Sequence, residues 1–327
     1  MKLFDFSQKI NYKNEILAGL TVAMTMIPES LSFAILAGFP PLVGLYAAFI
    51  MGLVTAVLGG RPGLVSGGAG ATVITLIALM KSHGIEYVFA AVALAGVVQI
   101  LVGIFKLGKF IRLVPQPVMY GFVNGLAVVI FMSQLEQFKT IVNGQSEWLS
   151  GTPLYIMGGL VALTIAIVYI FPKITKAVPA SLVAIIAIFA ISIIFGIETK
   201  TVEDIASVQG GFPPFHLPQI PLSWDAFQII LPYAVIMAAV GLTEGLLTLN
   251  LVDEITGTRG NSNRECIAQG TANIANGFFG GMGGCPMIAQ TFVNLNAGAR
   301  ARLSGIIAAL TILCIILFGA PVIGKLP

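Results

Sequence analysis

The stretch 62-PGLVSGGAGATVITLIALM-80 opens with Pro62 and with Gly63, Gly67, Gly68 and Gly70, and only then becomes continuously apolar. Far along the chain, 277-GFFGGMGGCPMIAQTFVNLNAG-298 repeats the design, with Gly277, Gly280, Gly281, Gly283, Gly284 and Pro286 ahead of a helix-compatible run. Backbone of this kind leaves N–H and C=O groups unpaired, which lipid tolerates only where the segment is buried in protein or lines a cavity. A helix that starts at membrane depth, near Gly70 or near Met287, aims free N–H groups and the positive end of its dipole into such a cavity. The result is an anion site made of backbone. Small residues also allow close helix packing, but packing alone requires neither the prolines nor the clustering at one end.

The rest of the chain places these two segments in a bilayer. Apolar residues make up 57% of the 327 positions and charged residues only 9%, and mean hydropathy is +0.96. Soluble domains carry about 25% charged residues. Conventional spans of about 20 apolar residues fall at 15–37, 42–60, 86–105, 113–134, 153–172, 177–196, 228–251 and 303–324. A weaker span at 264–280 holds Gln269, Asn273 and Asn276. With the two broken segments this makes eleven. If the N-terminus is cytoplasmic, thirteen of the 17 Lys and Arg fall on cytoplasmic segments, among them Arg61, Lys106, Lys109, Arg112, Arg264, Arg300 and Arg302. That bias is the one expected of an inner or plasma membrane protein. No cleavable signal peptide is evident in the polar start MKLFDFSQKINYKNE. Net charge is only +3, which gives no case for nucleic acid. Cys266, Cys285 and Cys314 lack metal or disulfide spacing and read as packing residues.

The spans divide into a first repeat at 1–196, a Pro-rich outside linker at 197–227 and a second, incomplete repeat at 228–327. Each half holds a broken segment as its third span and a carboxylate in its first, Glu29 in 28-PESLSF-33 and Glu244 in 240-VGLTEGLLTLN-250. Inverted repeats with half-helices in matching positions are a common transporter plan. A carboxylate at a helix centre costs on the order of 2.5–3.5 kcal/mol on insertion scales, so both mark function.

The runs 28-PESLSFAILAGFPPLVGLYAAF-49, 242-LTEGLLTLNLVDEITGTRGNSNRECIAQGTANIANGFFGG-281 and 284-GCPMIAQTFVNLNAGARARLSG-305 resemble the SulP (sulfate permease) family of anion transporters. The resemblance implies an all-α polytopic membrane protein with the inverted-repeat, seven plus seven span transporter fold. It also implies core and gate domains, homodimers and a C-terminal STAS domain, and against that pattern this chain stops after about span eleven. By matching motif, the anion lies between the starts of spans three and ten. Ala71, Thr72 and Val73 line one side, with Met287, Ile288, Ala289 and Gln290 on the other. Glu29 and Phe33, four residues apart and so on one helix face, look onto the same cavity. In a bicarbonate-transporting relative the sodium ligands are an aspartate and a threonine, where Glu244 and Thr248 stand here. The resemblance thus supplies Na+ as coupling ion at Glu244 and Thr248, and no other cofactor.

Two departures bear on mechanism. Gly70–Ala71 replaces a Gly–Pro pair of several relatives, and Ala289–Gln290 replaces the Ser–Arg of animal members. Losing that arginine removes fixed positive charge and favours a co-transported cation, Na+ or H+, over simple exchange. The expected function is secondary transport of a small inorganic anion, of the sulfate or bicarbonate class, or of a dicarboxylate. A nucleobase permease of the same architecture and an anion channel are the competing readings. An enzyme is not expected, since HExxH and GxSxG are absent and His83 and His216 fall in outside loops.

Overall fold

The computed structural model describes residues 11–109, 117, 121, 124–125, 127–128, 131–132, 134–142, 145–174, 180–197, 211–221 and 223–319. The span expected at 113–134 lies largely outside the described residues, as do Arg112, positions 198–210 of the linker and the last residues of the span at 303–324. By internal contact the chain forms two compact units that cut across the two sequence repeats.

The first unit begins with α1 (Tyr12–Leu36), started by the Asn11 side chain, which accepts from the Asn14 N–H. After Pro40 comes α2 (Pro41–Leu58). The Gly-rich stretch then runs extended through β1 (Ser66–Gly67) into the short helices α3 (Gly70–Ile74) and α4 (Ile77–His83), and α5 (Ile85–Ile104) follows.

The second unit holds a hairpin of β2 (Lys139–Val142) and β3 (Gln145–Trp148), and two helices, α6 (Thr152–Ile174) and α7 (Ala180–Ile194). Lys139 pairs with Trp148 across the hairpin, its Nζ 5.2 Å from the indole centroid. This hairpin and the β1–β4 ladder described below are exceptions to the all-α expectation.

The first unit resumes with α8 (Trp224–Thr256), α9 (Ser262–Phe278), β4 (Cys285–Pro286), α10 (Ile288–Asn296) and α11 (Leu303–Phe318). Helix α8 begins inside the expected linker and runs beyond the expected span end at 251. The reasons are local. Ser223 Oγ accepts from the Ala226 N–H at one end, and Gly257 takes the left-handed conformation at the other. The order α1–α2–β1–α3 recurs as α8–α9–β4–α10.

Five of the described helices, α1, α2, α5, α6 and α8, are long and apolar enough to cross a membrane. Their outer faces expose large apolar side chains, such as Leu17 and Leu20 on α1, Leu101 and Ile104 on α5, and Val235 and Ile236 on α8. Water does not favour such a surface, and a bilayer does.

Helices α5 and α9 approach backbone to backbone. A Cβ at Gly96 would lie 2.5 Å from the Gly270 carbonyl oxygen, and one at Gly270 would lie 2.4 Å from that of Gly96. The contact repeats seven residues on, where a Cβ at Gly103 would meet the Asn263 oxygen at 2.7 Å. In lipid this approach supplies the dispersion contact that replaces hydrophobic driving force.

Charged residues tie the helix ends together. Glu15 is buried and accepts from the Arg300, Ala301 and Ser304 N–H groups at 2.6, 2.8 and 2.9 Å, capping the start of α11. Arg302 donates to the Ala56 and Gly59 carbonyls at the end of α2. Arg61 pairs with Asp253 at 3.3 Å and donates to Thr256 and Thr258 at the end of α8. Residues counted above as interface charges are therefore helix caps as well.

Gly96→Leu is expected to lower stability by about 3 kcal/mol through overpacking, read as a drop in melting temperature in detergent. Gly159→Leu on α6, where an added side chain meets nothing within 4 Å, is expected to leave the melting temperature unchanged.

Candidate functional site

The two Gly-rich segments meet as an antiparallel ladder, with Ser66 opposite Pro286 and Gly67 opposite Cys285. The Met287 N–H adds a bond to the Val65 carbonyl at 2.9 Å. The approach is close enough that a Cβ at Gly284 would lie 1.9 Å from the Gly67 carbonyl oxygen. Only glycine fits there.

Side chains complete the pairing on the outer edges. Asn273 of α9 mimics a third strand: its Oδ1 accepts from the Gly284 N–H at 2.9 Å and its Nδ2 donates to the Gly284 carbonyl at 3.1 Å. The same Nδ2 donates to Gln99 Oε1 of α5 at 2.8 Å. On the other edge Thr291 Oγ1 accepts from the Val65 N–H at 3.1 Å, and Asn294 Nδ2 donates to the Gly63 carbonyl at 2.9 Å. Asn273, Gln99, Thr291 and Asn294 are fully buried. Asn296, two residues on, is exposed.

Beyond the ladder the chain turns helical on both sides. Ala69 is the N-cap of α3 and Met287 that of α10, and neither start has a side-chain cap. Uncapped N–H groups at helix starts are ready donors for a negative ligand.

Three elements bring side chains to this point. From α1, Phe33 lies against Gly70, where a Cβ would sit 2.6 Å from the ring, and packs on Ala69, Cys285 and Met287. One turn earlier, Glu29 accepts a hydrogen bond from Gln290 Nε2 in the first turn of α10. From α8, Glu244 Oε2 accepts from the Cys285 thiol at 3.1 Å. One turn on, the buried Thr248 hydroxyl donates to the Glu244 backbone carbonyl at 2.7 Å.

The structure thus gathers Glu29, Phe33, Met287, Gln290 and Glu244, with Thr248 one helical turn away. Ala71 is buried in the first turn of α3. Thr72 is buried with its hydroxyl bonded to the Ala69 carbonyl. Val73 packs in the apolar core, and its N–H bonds to the same carbonyl, so it offers a ligand no free donor. Ile288 is half-buried and Ala289 exposed. Among the described residues, no group of three or more His, Cys, Asp or Glu gathers as a metal cluster. Glu244 and Thr248 remain the candidate cation ligands.

Two functional placements escape sequence reasoning. Cys285 reads as a packing residue but donates to Glu244. Asn273 reads as weakening a span but holds the ladder. The spacing of Glu265, Gln269, Asn273 and Asn276 is the available signal, because it puts all four on one helix face.

A model of the sulfate permease family matches residues 12–327. The putative sulfate transporter YbaR of Bacillus subtilis is 40% identical over 317 residues, covering 97% of this chain and 64% of that protein. The bicarbonate transporter BicA of Picosynechococcus is 31% identical over 344 residues, covering 98% and 60%. Among solved structures, the transmembrane domain of a cyanobacterium bicarbonate transporter BicA superposes with a TM-score of 0.85 at 30% identity, covering 99% of this chain and 86% of that one. The murine Slc26a9 anion transporter in the inward-facing state gives 0.82 at 18% identity, covering 98% and 59%, which shows the fold alone. The chain spans about three fifths of the length of the curated relatives it matches.

Asn273→Leu leaves the Gly284 N–H, the Gly284 carbonyl and Gln99 Oε1 without this partner. At about 1–3 kcal/mol for each buried unsatisfied group, the variant is expected to lose at least about 3 kcal/mol of stability. Asn294→Leu orphans one carbonyl and is expected to lose about a third as much. Melting curves of the two variants in the same detergent check the ratio.

Proposed function

The chain belongs to the sulfate permease family, and on that premise we propose that it is a secondary transporter of a small inorganic anion or dicarboxylate, driven by a co-transported cation. The observation that carries this reading is the ladder of β1 and β4, which holds two uncapped helix starts side by side. Their N–H groups and dipoles favour a negative ligand without any fixed positive side chain. The names of the relatives, sulfate and bicarbonate transporters, agree with this ligand class.

Charge arithmetic supplies the coupling. A helix end stabilises an anion by at most about 2 kcal/mol. Two like charges about 4 Å apart repel by about 4 kcal/mol at an effective dielectric of about 20. An ionised carboxylate at the site therefore outweighs a helix start unless something answers it. Glu29 has the Gln290 N–H as donor. Among the described residues, Glu244 has only the weak thiol donor of Cys285. Glu244 is thus the group that a cation, Na+ or H+, neutralises before the anion enters, with Thr248 supplying a second oxygen. Cation and anion then bind and leave together, and alternating access of the site moves both.

Uptake of labelled sulfate, hydrogencarbonate and succinate into proteoliposomes, with Na+ and pH gradients imposed separately, tests this reading. Glu244→Gln is expected to reduce gradient-driven uptake at least about tenfold, within the usual range of coupling energies. Gradient dependence that persists unchanged in this variant removes Glu244 from the coupling role. Binding of uracil with no uptake of any anion overturns the function itself.

A further inference from the structure

The carboxamide of Gln290 has two faces, and only one is occupied. Its Nε2 donates to Glu29 Oε2, while its Oε1 has no hydrogen-bond partner among the described residues, although the residue is only 3% exposed. An ionised carboxylate only accepts, so with Glu29 ionised it is Nε2 and not Oε1 that faces it. Helix α1 thereby fixes which way the amide points, and an acceptor is left over in the first turn of α10. A buried acceptor without a donor costs about 1–3 kcal/mol, so the position is suited to a ligand that brings one. Helix α10 is 9 residues long and its start has no side-chain cap. Unpaired N–H donors and this unpartnered acceptor thus belong to the same first turn of α10.

A ligand that satisfies both features is negative and carries an O–H. Resting on the anion site proposed above, we infer that Gln290 selects oxyanions that retain a hydroxyl proton, hydrogencarbonate foremost, over anions of similar size and charge that have none. The ligand hydroxyl donates to Gln290 Oε1, and Gln290 Nε2 donates to Glu29. The charged oxygens of the ligand turn to the N–H groups of α10. Every donor along this chain points the same way, so each bond polarises the next. The protonated end of the ligand is also the end nearest the Glu29 carboxylate, where a bare oxygen would be repelled. Nitrate and sulfate offer acceptors only, and they set oxygen against oxygen at Gln290.

Nitrate provides the comparison, being planar, three-oxygen and singly charged like hydrogencarbonate but without a proton. Heat stabilisation of the intact purified protein by sodium hydrogencarbonate, sodium nitrate and sodium sulfate at neutral pH reports the apparent affinity of each. The wild-type protein is expected to bind hydrogencarbonate at least about tenfold more tightly than nitrate, as one matched acceptor against one unmatched predicts. Gln290→Arg replaces the acceptor with donors, and Glu29→Gln leaves the amide free to turn. Both are expected to bring hydrogencarbonate and nitrate within about threefold of each other. Equal binding of nitrate and hydrogencarbonate by the wild type overturns the inference and leaves the anion site standing. Stabilisation by none of the three salts overturns the anion site, and the inference falls with it. The wild-type comparison stands even if a variant does not fold.

Discussion

Two residues on each side, Ser66 and Gly67 against Pro286 and Cys285, hold the centre of this protein together. The constraint behind them is that backbone at membrane depth has no water to bond to. A helix meets that constraint within itself, and a broken helix cannot. The ladder returns some of the missing bonds, and Asn273, Thr291 and Asn294 return more from the flanks. What remains unbonded is confined to the helix starts, where a ligand can use it.

The same economy governs the bundle end that carries Glu15, Arg61 and Arg302. Chain ends and turns there would expose helix carbonyls and N–H groups. Each of these charged side chains bonds backbone of a distant segment: Glu15 at the start of α11, Arg302 at the end of α2 and Arg61 near the end of α8. Glu15 anchors α1 at the end away from Pro28 and Glu29, and Arg61 anchors α8 at the end away from Pro232. Close packing of α5 on α9 at Gly96, Gly103 and Gly270, with the Asn273–Gln99 bond between them, does the remaining work.

Much of this was legible in the sequence, and the reason is locality. Clustered within a few residues, Gly67, Gly68, Gly283, Gly284 and Pro286 disfavour a helix locally, so the break points near Gly70 and Met287 follow from local composition. Glu29 and Phe33 share a face because four residues make about one turn. The bounds of α8 were less legible, because Ser223 and Gly257 act through cap geometry that hydropathy does not register. The roles of Cys285, Asn273 and Gln99 were not legible at all. Each depends on which helix stands opposite, and a thiol or an amide reads the same in a chain whether it holds a strand or fills a gap. Val73 shows the converse: matched by motif to the site, it turns its side chain into the apolar core.

The ladder also has a consequence for how the protein is made. Ser66 and Pro286 are partners across about 220 residues of chain. At a synthesis rate of about 5–20 residues per second, β1 leaves the ribosome roughly 10 to 40 s before β4 exists. Throughout that time the first broken segment has no strand to pair with and no place in lipid. The translocation machinery, or water held beside it, has to shelter Gly67 and Gly68 until the second half arrives. Biogenesis is therefore not sequential insertion of finished helices. The ladder closes only once β4 is made, and a ribosome that stalls before Cys285 leaves β1 without its partner strand.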